Sequence, residues 1–274
     1  MKEDDVTSER EQLEELVSSV LESSKYRNVC EDLIRNIGRR ELSKGQSVKA
    51  AVKATKNKLH QIGGAYFLKK PDYDSWLKKL REAKSQGEDS FHKTCVEIMS
   101  YHQSTRERLK ILNQFYTRIF AFLPPVQSIM DVACGFNPFS IPWMPVPIDV
   151  KYYAYDVYKD LTDFVNSFLA ICNVQGCAEV REVICNTPPV RTDVAFLLDT
   201  IPCLEQIEKW AGLKVLETIN SNFLVVSFPV KSLCGKEKNM RRHYETAFNR
   251  LTEEKDWSIQ KLEFMTEQVF IIKK

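Results

Sequence analysis

The stretch "SIMDVACGFNPFSIPWM", residues 128–144, decides the fold of this chain. An apolar run ends in an aspartate, and Ala133 and Gly135 then allow the backbone to approach a ligand closely. Asn137 and Pro138 follow as a predicted N-cap and first helical residue, which would leave free N–H groups facing that ligand. A buried strand that turns into a helix in this way begins a βα unit. With one glycine, the turn is a poor match to a dinucleotide-binding fingerprint.

The rest of the C-terminal half repeats the pattern of short apolar runs separated by helical segments. Because these runs do not alternate with polar residues, they predict strands of a parallel sheet that is covered on both faces. The last two runs are close in sequence and predict an antiparallel hairpin at the sheet edge. The seven predicted strands are "SIMDVA", "YYAYDV", "EVREVI", "DVAFLL", "FLVVSF", "SIQKLEF" and "QVFIIKK".

The N-terminal half has a different architecture. From residue 7 to about residue 122 the apolar residues recur at helical spacing, with no alternating stretch. Two prolines in "FLPPVQ", residues 122–127, then end the last helix. The sequence therefore predicts an all-helical domain over 1–122 and an α/β domain over 123–274.

Composition limits the class of protein. The chain has 274 residues, of which 43% are hydrophobic and 28% charged, which is typical of a globular protein with a sizeable core. It contains no run of 18 apolar residues and no secretory signal pattern, so we expect a cytoplasmic protein without a membrane span. The eight cysteines include no C-x-x-C pair, and no metal site is predicted.

Charge is distributed unevenly along the helical half. Residues 1–24 carry two basic and eight acidic side chains, whereas residues 25–70 carry twelve basic and three acidic ones. A solvated helix face is the ordinary explanation for a charge run. Here the excess is too one-sided for intrahelical ion pairs, and it favours a surface that attracts a polyanion.

The ends of the predicted strands give a candidate ligand site, since ligands bind outside the carboxyl ends of a doubly wound sheet. Asp156 ends the second strand, where an acid accepts hydrogen bonds from ribose hydroxyls. Glu182 and Val183 end the third strand, within reach of an adenine edge. An acid at such a position is often only a turn cap. The order of turn, ribose-binding acid and further acid nevertheless favours an S-adenosylmethionine site and a methyltransferase.

Five segments carry a more specific resemblance. They closely resemble, in the same order, segments of the aminoglycoside-resistance 16S ribosomal RNA methyltransferases of the Arm/Rmt type, and the resemblance covers the chain from about residue 23. The five segments are "LHQIGGAYF" (59–67), "YHQSTRERL" (101–109), "DVACGFNPFSIPWM" (131–144), "LLDTIPCLEQ" (197–206) and "VSFPVKSLCGKEKNM" (226–240).

The resemblance implies a class I, Rossmann-like methyltransferase sheet with a helical N-terminal extension that docks on the 30S subunit. It implies methylation of guanine N7 at position 1405 in the decoding A site, resistance to 4,6-disubstituted deoxystreptamine aminoglycosides, and a monomer. The implied cofactor is S-adenosyl-L-methionine. Together with the strand-end residues derived above, the resemblance gives the following cofactor contacts: Tyr66, His102, Ser104, Arg108, Ala133, Gly135, Asp156, Glu182, Val183, Leu198 and Gln206.

Two of these residues have a physical reading of their own. Arg108 suits the methionine carboxylate because a guanidinium binds a carboxylate with two parallel hydrogen bonds, and an intrahelical ion pair is the alternative. His102 is not expected to act as a base. Guanine N7 already has an in-plane lone pair, so its methylation needs positioning and electrostatics rather than deprotonation.

RNA contacts are expected from the basic segment and from the loop after the fifth strand, bound by charge and shape. Phe136 or Trp143 is a candidate for stacking on the target base, with core packing as the alternative. The predicted RNA-binding residues are Lys25, Arg27, Lys53, Lys56, Lys58, Lys69, Lys70, Lys231, Lys236, Lys238, Arg241 and Arg242.

The chain departs from the family pattern at three places. Asp199 replaces a lysine, Glu182 replaces an aspartate, and residues 239–242 read Asn-Met-Arg-Arg instead of Gly-Met-Glu-Glu. Because Asp199 ends the fourth strand, we expect it to point to the methyl-transfer point and position the target base, with Arg241 or Arg242 nearby in place of the lysine. A simple turn cap is the alternative. The departures leave open an impaired ribosome-binding relative or an A-site adenine-N1 methyltransferase.

Overall fold

A computed structural model describes residues 3–230 and 240–274. Within residues 3–120 the chain is helical, as predicted, and local caps explain two of the helix starts. Ser47 accepts a hydrogen bond from the N–H of Ala50, and Asp72 accepts one from the N–H of Ser75. The helices are α1 (Glu3–Leu21), α2 (Glu31–Leu42), α3 (Val48–Ile62), α4 (Tyr73–Gln86), α5 (Glu88–Met99), α6 (Gln103–Arg108) and α7 (Leu112–Phe120).

The second half forms a twisted sheet in the order β3-β2-β1-β4-β5-β7-β6. Strands β1 to β5 are parallel, and β7 runs antiparallel between β5 and β6. This confirms the parallel α/β sheet and the antiparallel hairpin at its edge. The strands are β1 (Ser128–Val132), β2 (Lys151–Asp156), β3 (Gln175–Val180), β4 (Thr192–Leu198), β5 (Ser221–Pro229), β6 (Ser258–Glu263) and β7 (Glu267–Lys273).

The strand order reverses between β1 and β4. From β1 the chain builds outward through β2 and β3, and it then crosses to the other side to build β4 and β5. A crevice opens outside the carboxyl ends of the strands at such a switch point, which is where doubly wound folds bind ligands. The stretch 128–144 therefore leads directly into the crevice.

Helices cover both faces of the sheet. One face packs against α8 together with α4, α5 and α7 of the helical half, and the other packs against α9, α10 and α11. The strands β4 and β5 are buried along almost their whole length, which explains their unalternating apolar sequences. The additional helices are α8 (Lys159–Cys172), α9 (Ile201–Ile207), α10 (Ala211–Thr218) and α11 (Met240–Thr252).

The hydrophobic cores divide the helical half into two parts. Helices α1, α2 and α3 form a small bundle around their own apolar cluster, which includes Leu16, Ile34 and Leu59. Helices α4, α5 and α7 share a single core with the sheet. The architecture changes near residue 122, whereas the packing gives the α1–α3 bundle a core cluster of its own, against which Val157, Tyr158 and Ile207 of the second half also pack.

The third strand is where the sequence prediction was wrong. The strand covers Gln175–Val180 instead of "EVREVI", and Glu182 and Val183 lie in the turn that follows it. As the edge strand of the sheet, β3 pairs with β2 alone and tolerates polar residues. The apolar residues Val183 and Ile184 pack into the core from that turn. Within the described residues, no helix is both long and apolar enough to span a membrane.

Candidate active site

A cleft lies at the carboxyl ends of β1, β2 and β4, and the segments around α6 and the end of α3 form its opposite wall. It brings together seven of the predicted cofactor contacts, and Asp199 with them. The lining residues are Ile62, Gly63, Tyr66, Phe67, His102, Ser104, Ala133, Gly135, Asp156, Val157, Tyr158, Leu161, Leu198, Asp199, Thr200 and Cys203.

The backbone of the cleft is unusual where β1 and β4 end. Ala133, Gly135 and Asp199 have φ angles of 52°, 48° and 58°, in the left-handed region that side chains disfavour. A Cβ atom on Gly135 would lie 3.0 Å from Cε1 of His102, so a side chain here would crowd the imidazole ring in addition to straining the backbone. Left-handed residues at both strands of the switch point are typical of a ligand site.

The predicted N-cap at Asn137 was wrong. Residues Asn137–Trp143 form a 3-10 helix that Phe136 precedes, and the N–H of Asn137 donates to the carbonyl of Cys134 at 2.9 Å. The Asn137 side chain instead bonds to other buried polar groups. The close approach to a ligand therefore depends on the Ala133–Gly135 turn, not on the start of a helix.

Asp156 ends β2 as predicted, and it also caps its own turn. Its carboxylate accepts hydrogen bonds from the N–H groups of Gly135, Val157 and Tyr158 at 2.9, 2.7 and 3.3 Å. Burial raises its pKa, while these three N–H groups act in the opposite direction. A carboxylate has about four acceptor positions, so one remains for a ligand hydroxyl.

A buried ion pair lies beneath the cleft. Nε and Nη2 of Arg108 donate to the two carboxylate oxygens of Glu267, at 2.7 and 3.1 Å, and Nη1 donates to Asn137 at 2.9 Å. Both ionic side chains are about 1% exposed. Three of the five guanidinium N–H groups are thus engaged, and Arg108 does not line the cleft. The other two N–H groups have no hydrogen-bond partner among the described residues and remain available to a ligand carboxylate or to the Asp199 carboxyl group.

The same network reaches the first strand. Asp131 accepts hydrogen bonds from the hydroxyl of Tyr152 at 2.6 Å and from the amide of Asn137 at 3.0 Å. Burial raises the pKa of Asp131 to about 7, against the effect of these two donors. Asn137 therefore connects Asp131 on β1 to Arg108 on α6. This connection links the stretch 128–144 to the helical half.

Sequence reasoning missed Glu267. It is the first residue of β7 and lies 159 residues from Arg108 in sequence. The only available signal is indirect: a buried arginine requires a carboxylate partner, and Glu267 is an acid two residues before the apolar run "VFII".

The helical wall of the cleft carries the predicted residues Tyr66, His102 and Ser104. The rings of Tyr66 and His102 stack with centroids 5.6 Å apart, and the Ser104 hydroxyl lies 3.2 Å from Nδ1 of His102. Burial, with a smaller effect of Arg108, lowers the pKa of His102 to about 3. The imidazole is therefore neutral at physiological pH and has a packing role in this wall.

Four predicted cofactor contacts lie away from the cleft lining. Arg108 lies beneath it, as described. Glu182 is buried and accepts hydrogen bonds from the N–H groups of Ile184 and Cys185 at 3.0 and 2.8 Å. Val183 packs in the core, and Gln206 is exposed on α9.

Asp199 follows β4 and enters the cleft as predicted, with 6% of its surface exposed. Its N–H donates to the carbonyl of Ser227 at 3.1 Å. Phe136 is fully buried in the core, and Trp143 packs against the same core, so both follow the packing alternative.

Four of the predicted RNA-binding cations converge on one groove between the α1–α3 bundle and α8. Lys25, Arg27, Lys69 and Lys70 line it together with the rings of Tyr73 and Tyr158. On α3, Lys53 is exposed, and Lys56 and Lys58 are half-buried. The predicted contacts at Lys231, Lys236 and Lys238 fall outside the described residues.

The two arginines at the start of α11 differ. Nη2 of Arg241 donates to the carbonyl of Phe264 at 2.7 Å, so this guanidinium is engaged near the hairpin of β6 and β7. Arg242 is exposed.

Comparison with known proteins decides the family. Residues 22–272 match the family model described as "Ribosomal RNA methyltransferase (FmrO)". The chain belongs to this family of ribosomal RNA methyltransferases. A relative from Micromonospora rosea, named 16S rRNA (guanine(1405)-N(7))-methyltransferase, is 34% identical over 268 residues, which are 96% of this chain and 97% of the relative. A relative of the same name from Serratia marcescens is 29% identical and covers 96% of this chain and 98% of its own.

Solved structures agree with this assignment. The 16S rRNA methyltransferase RmtF in complex with S-adenosyl-L-homocysteine is 25% identical with a TM-score of 0.81, over 96% of this chain and 98% of that one. The 16S rRNA methylase RmtB is 27% identical with a TM-score of 0.77, over 96% and 98% of the two chains. The FmrO-family chain is therefore an S-adenosylmethionine-dependent methyltransferase with ribosomal RNA as its substrate.

The cleft of this FmrO-family enzyme fits that cofactor. Asp156 retains acceptor capacity for a ribose hydroxyl, and Gly135 leaves space that a side chain would fill. Asp199 presents a carboxyl oxygen that has no hydrogen-bond partner among the described residues. When bound, the cofactor supplies the methyl group as a sulfonium substituent.

Proposed function

We propose that this enzyme is a 16S rRNA (guanine-1405 N7)-methyltransferase. It modifies the decoding A site of the 30S subunit in the cytoplasm, acts as a monomer, and confers resistance to 4,6-disubstituted deoxystreptamine aminoglycosides. The observation that carries the proposal is similarity along nearly the whole chain to relatives named for that reaction, including the region of the helical bundle.

The chemistry of the cleft supports this reaction. The described cleft residues include one histidine, His102. Because its pKa is lowered, it binds a proton too weakly to be an effective general base. Burial also raises the pKa of the Cys203 thiol to about 11, so it is not a ready nucleophile. A target that must lose a proton would be a poor substrate here. Guanine N7 has a free lone pair, and direct displacement at the methyl group requires only alignment.

We place the docking surface on the α1–α3 bundle and its groove. The cations of this groove face it together with aromatic rings, a combination that suits phosphates and unpaired bases. The exposed lysines of α3 extend the positive surface. A rigid surface of this kind reads the shape of folded RNA, which supports the assembled subunit as the substrate rather than a short oligonucleotide.

We assign Asp199 to the methyl-transfer point, where it positions the target guanine. The carboxyl group follows β4 at the switch point and lies in the cleft. After transfer, the purine carries a positive charge, which a neighbouring carboxylate stabilises. The position of Arg241, bonded at the β6–β7 hairpin, does not support it as the substitute for the family lysine.

The deciding experiment maps methylation of 16S rRNA from cells that express the chain, by primer extension and mass spectrometry. We expect N7-methylguanine at position 1405 and growth in 4,6-disubstituted aminoglycosides. The control is Asp156→Ala, which we expect to leave the RNA unmodified.

Two other results would each overturn the proposal in a recognisable way. Methylation of a neighbouring A-site adenine at N1, with resistance extended to other aminoglycoside classes, would reassign the target atom. Unmodified RNA, together with retained binding of the purified protein to 30S subunits, would identify a ribosome-binding relative that has lost activity. Asp199, where the family resemblance implies a lysine, is the reason for testing both outcomes.

A further inference from the structure

The described residues around Asp199 satisfy its carboxyl group only in part. Its Oδ1 atom is buried and has no hydrogen-bond partner among the described residues. Its Oδ2 atom lies 3.9 Å from Nη2 of Arg108, beyond hydrogen-bond distance. A buried polar atom without a partner is costly, and in a native protein it commonly marks a place that a ligand completes.

The charges around this carboxyl group are also unbalanced. Arg108 is the cation next to it, and Glu267 already binds that guanidinium through both oxygens. One guanidinium therefore serves two carboxyl groups. Burial and the negative charge of Glu267 raise the pKa of Asp199 well above its usual range, against the effect of Arg108.

Other groups facing Asp199 do not correct the imbalance. Glu107 on α6 adds to the negative potential, whereas the Ser227 hydroxyl on β5 acts weakly in the opposite direction. The hydroxyls of Tyr66 and Tyr244 and the thiol of Cys203 also lie within electrostatic range, and they are neutral. Among the described groups, a second cation is missing.

We propose that Asp199 supplies the counter-charge for the sulfonium of bound S-adenosylmethionine, so that the enzyme distinguishes this cofactor from its product, S-adenosylhomocysteine. Asp156 ends β2 and Asp199 follows β4, and these strands are the two neighbours of β1, so the two strands are about 10 Å apart. In the cofactor the sulfur is joined directly to the 5′ carbon of the ribose. With the ribose at Asp156, the sulfonium would lie in the same cleft, which Asp199 also lines.

The proposal has a consequence for the reaction cycle. Methyl transfer would carry the positive charge from the sulfur to the methylated base and would leave the product with a neutral thioether. Asp199 then loses its ionic partner in the cofactor, which weakens retention of the product. The inference concerns the cofactor alone, so it stands or fails independently of which RNA base is methylated.

The test is isothermal titration of the full chain with each cofactor form in the absence of RNA. Asp199→Asn removes the charge and keeps the shape, and asparagine tolerates a left-handed φ. We expect this variant to bind S-adenosylmethionine about 10–100-fold more weakly and S-adenosylhomocysteine within about threefold of wild type. Glu41→Gln is the control, because it removes a buried carboxylate from the α1–α3 bundle, away from the cleft, and should change neither affinity.

A second measurement uses the wild-type protein and does not depend on a variant that folds. A cation next to Asp199 lowers its pKa, so S-adenosylmethionine binding near neutral pH should release a proton, and the binding enthalpy should vary with the ionisation enthalpy of the buffer. S-adenosylhomocysteine should show a smaller proton release. Equal weakening of both ligands by Asp199→Asn would overturn the sulfonium assignment, since the ligands share their ammonium group. Unchanged affinities with no difference in proton release would reduce Asp199 to a structural residue.

Discussion

Neutralising Glu267 tests whether the network beneath the cleft stabilises the enzyme as the structure indicates. In Glu267→Gln the side chain keeps its size, but the Arg108 guanidinium loses the carboxylate that binds it at 2.7 and 3.1 Å. Removal of one partner from a buried ion pair costs roughly 3–5 kcal/mol, because the remaining charge is uncompensated. Asp199 lies 3.9 Å from the same guanidinium and can take over part of the role. We therefore expect a loss of about 2–3 kcal/mol in the free energy of unfolding.

The assay is guanidinium denaturation followed by circular dichroism, with Glu263→Gln as the matched control. Glu263 pairs with Lys261 on the surface, where its side chain is 60% exposed, so this change should cost less than about 1 kcal/mol. The double variant Arg108→Met with Glu267→Gln should be no less stable than Glu267→Gln alone, since it also removes the guanidinium that the single change deprives of its main carboxylate partner. A loss for Glu267→Gln as small as that of the surface control would refute the reasoning.

Further predictions concern the cleft and the docking surface. Asp156→Ala should weaken cofactor binding by about 1.5–3 kcal/mol, measured by titration, and an unchanged affinity would remove the ribose assignment. Gly135→Ala should cost about 1–3 kcal/mol of stability from its left-handed φ and the contact with a histidine ring, measured by denaturation, and a cost near zero would show that the turn adapts. Because burial raises the pKa of Asp131 to about 7, only the folded state holds its proton between about pH 4 and pH 7. The contribution of Asp131 to stability should therefore fall as the pH rises through this range, and Asp131→Asn should remove the dependence. Joint neutralisation of Lys53, Lys56 and Lys58 should flatten the salt dependence of 30S binding and leave the cofactor affinity unaltered.

The fold could be predicted because apolar runs and helix-ending prolines depend on local sequence. The acids that end strands, such as Asp156 and Asp199, follow from the same local signal. The edge strand β3 could not be placed, since it buries too little surface to need an apolar sequence. The sequence pattern instead predicted a strand that includes Val183, which is apolar because the turn that contains it packs on the core.

The site's buried network was beyond sequence reasoning for a different reason. Arg108 and Glu267 meet only because β7 inserts beside β5, and no local pattern encodes that pairing. Asn137 was assigned a capping role by its position before a proline, whereas its buried side chain bonds to several others, including those of Arg108, Tyr116 and Asp131. A preference for a local cap yields when a tertiary hydrogen bond is available.

The main chain ties the α1–α3 bundle to the turn that carries the candidate ribose acid. Val29 and Tyr158 pair as an isolated antiparallel bridge, and the N–H groups of Cys30 and Lys159 donate to the facing carbonyls at 2.7 and 2.8 Å. Linkage between two binding sites is reciprocal. If ribosomal RNA bound to the bundle changes the affinity for the cofactor by some factor, the bound cofactor changes the affinity for the RNA by the same factor. A connection made of peptide groups survives side-chain substitution. A change such as Cys30→Pro would delete one of the two N–H donors and leave the hydrogen bond from Lys159 in place.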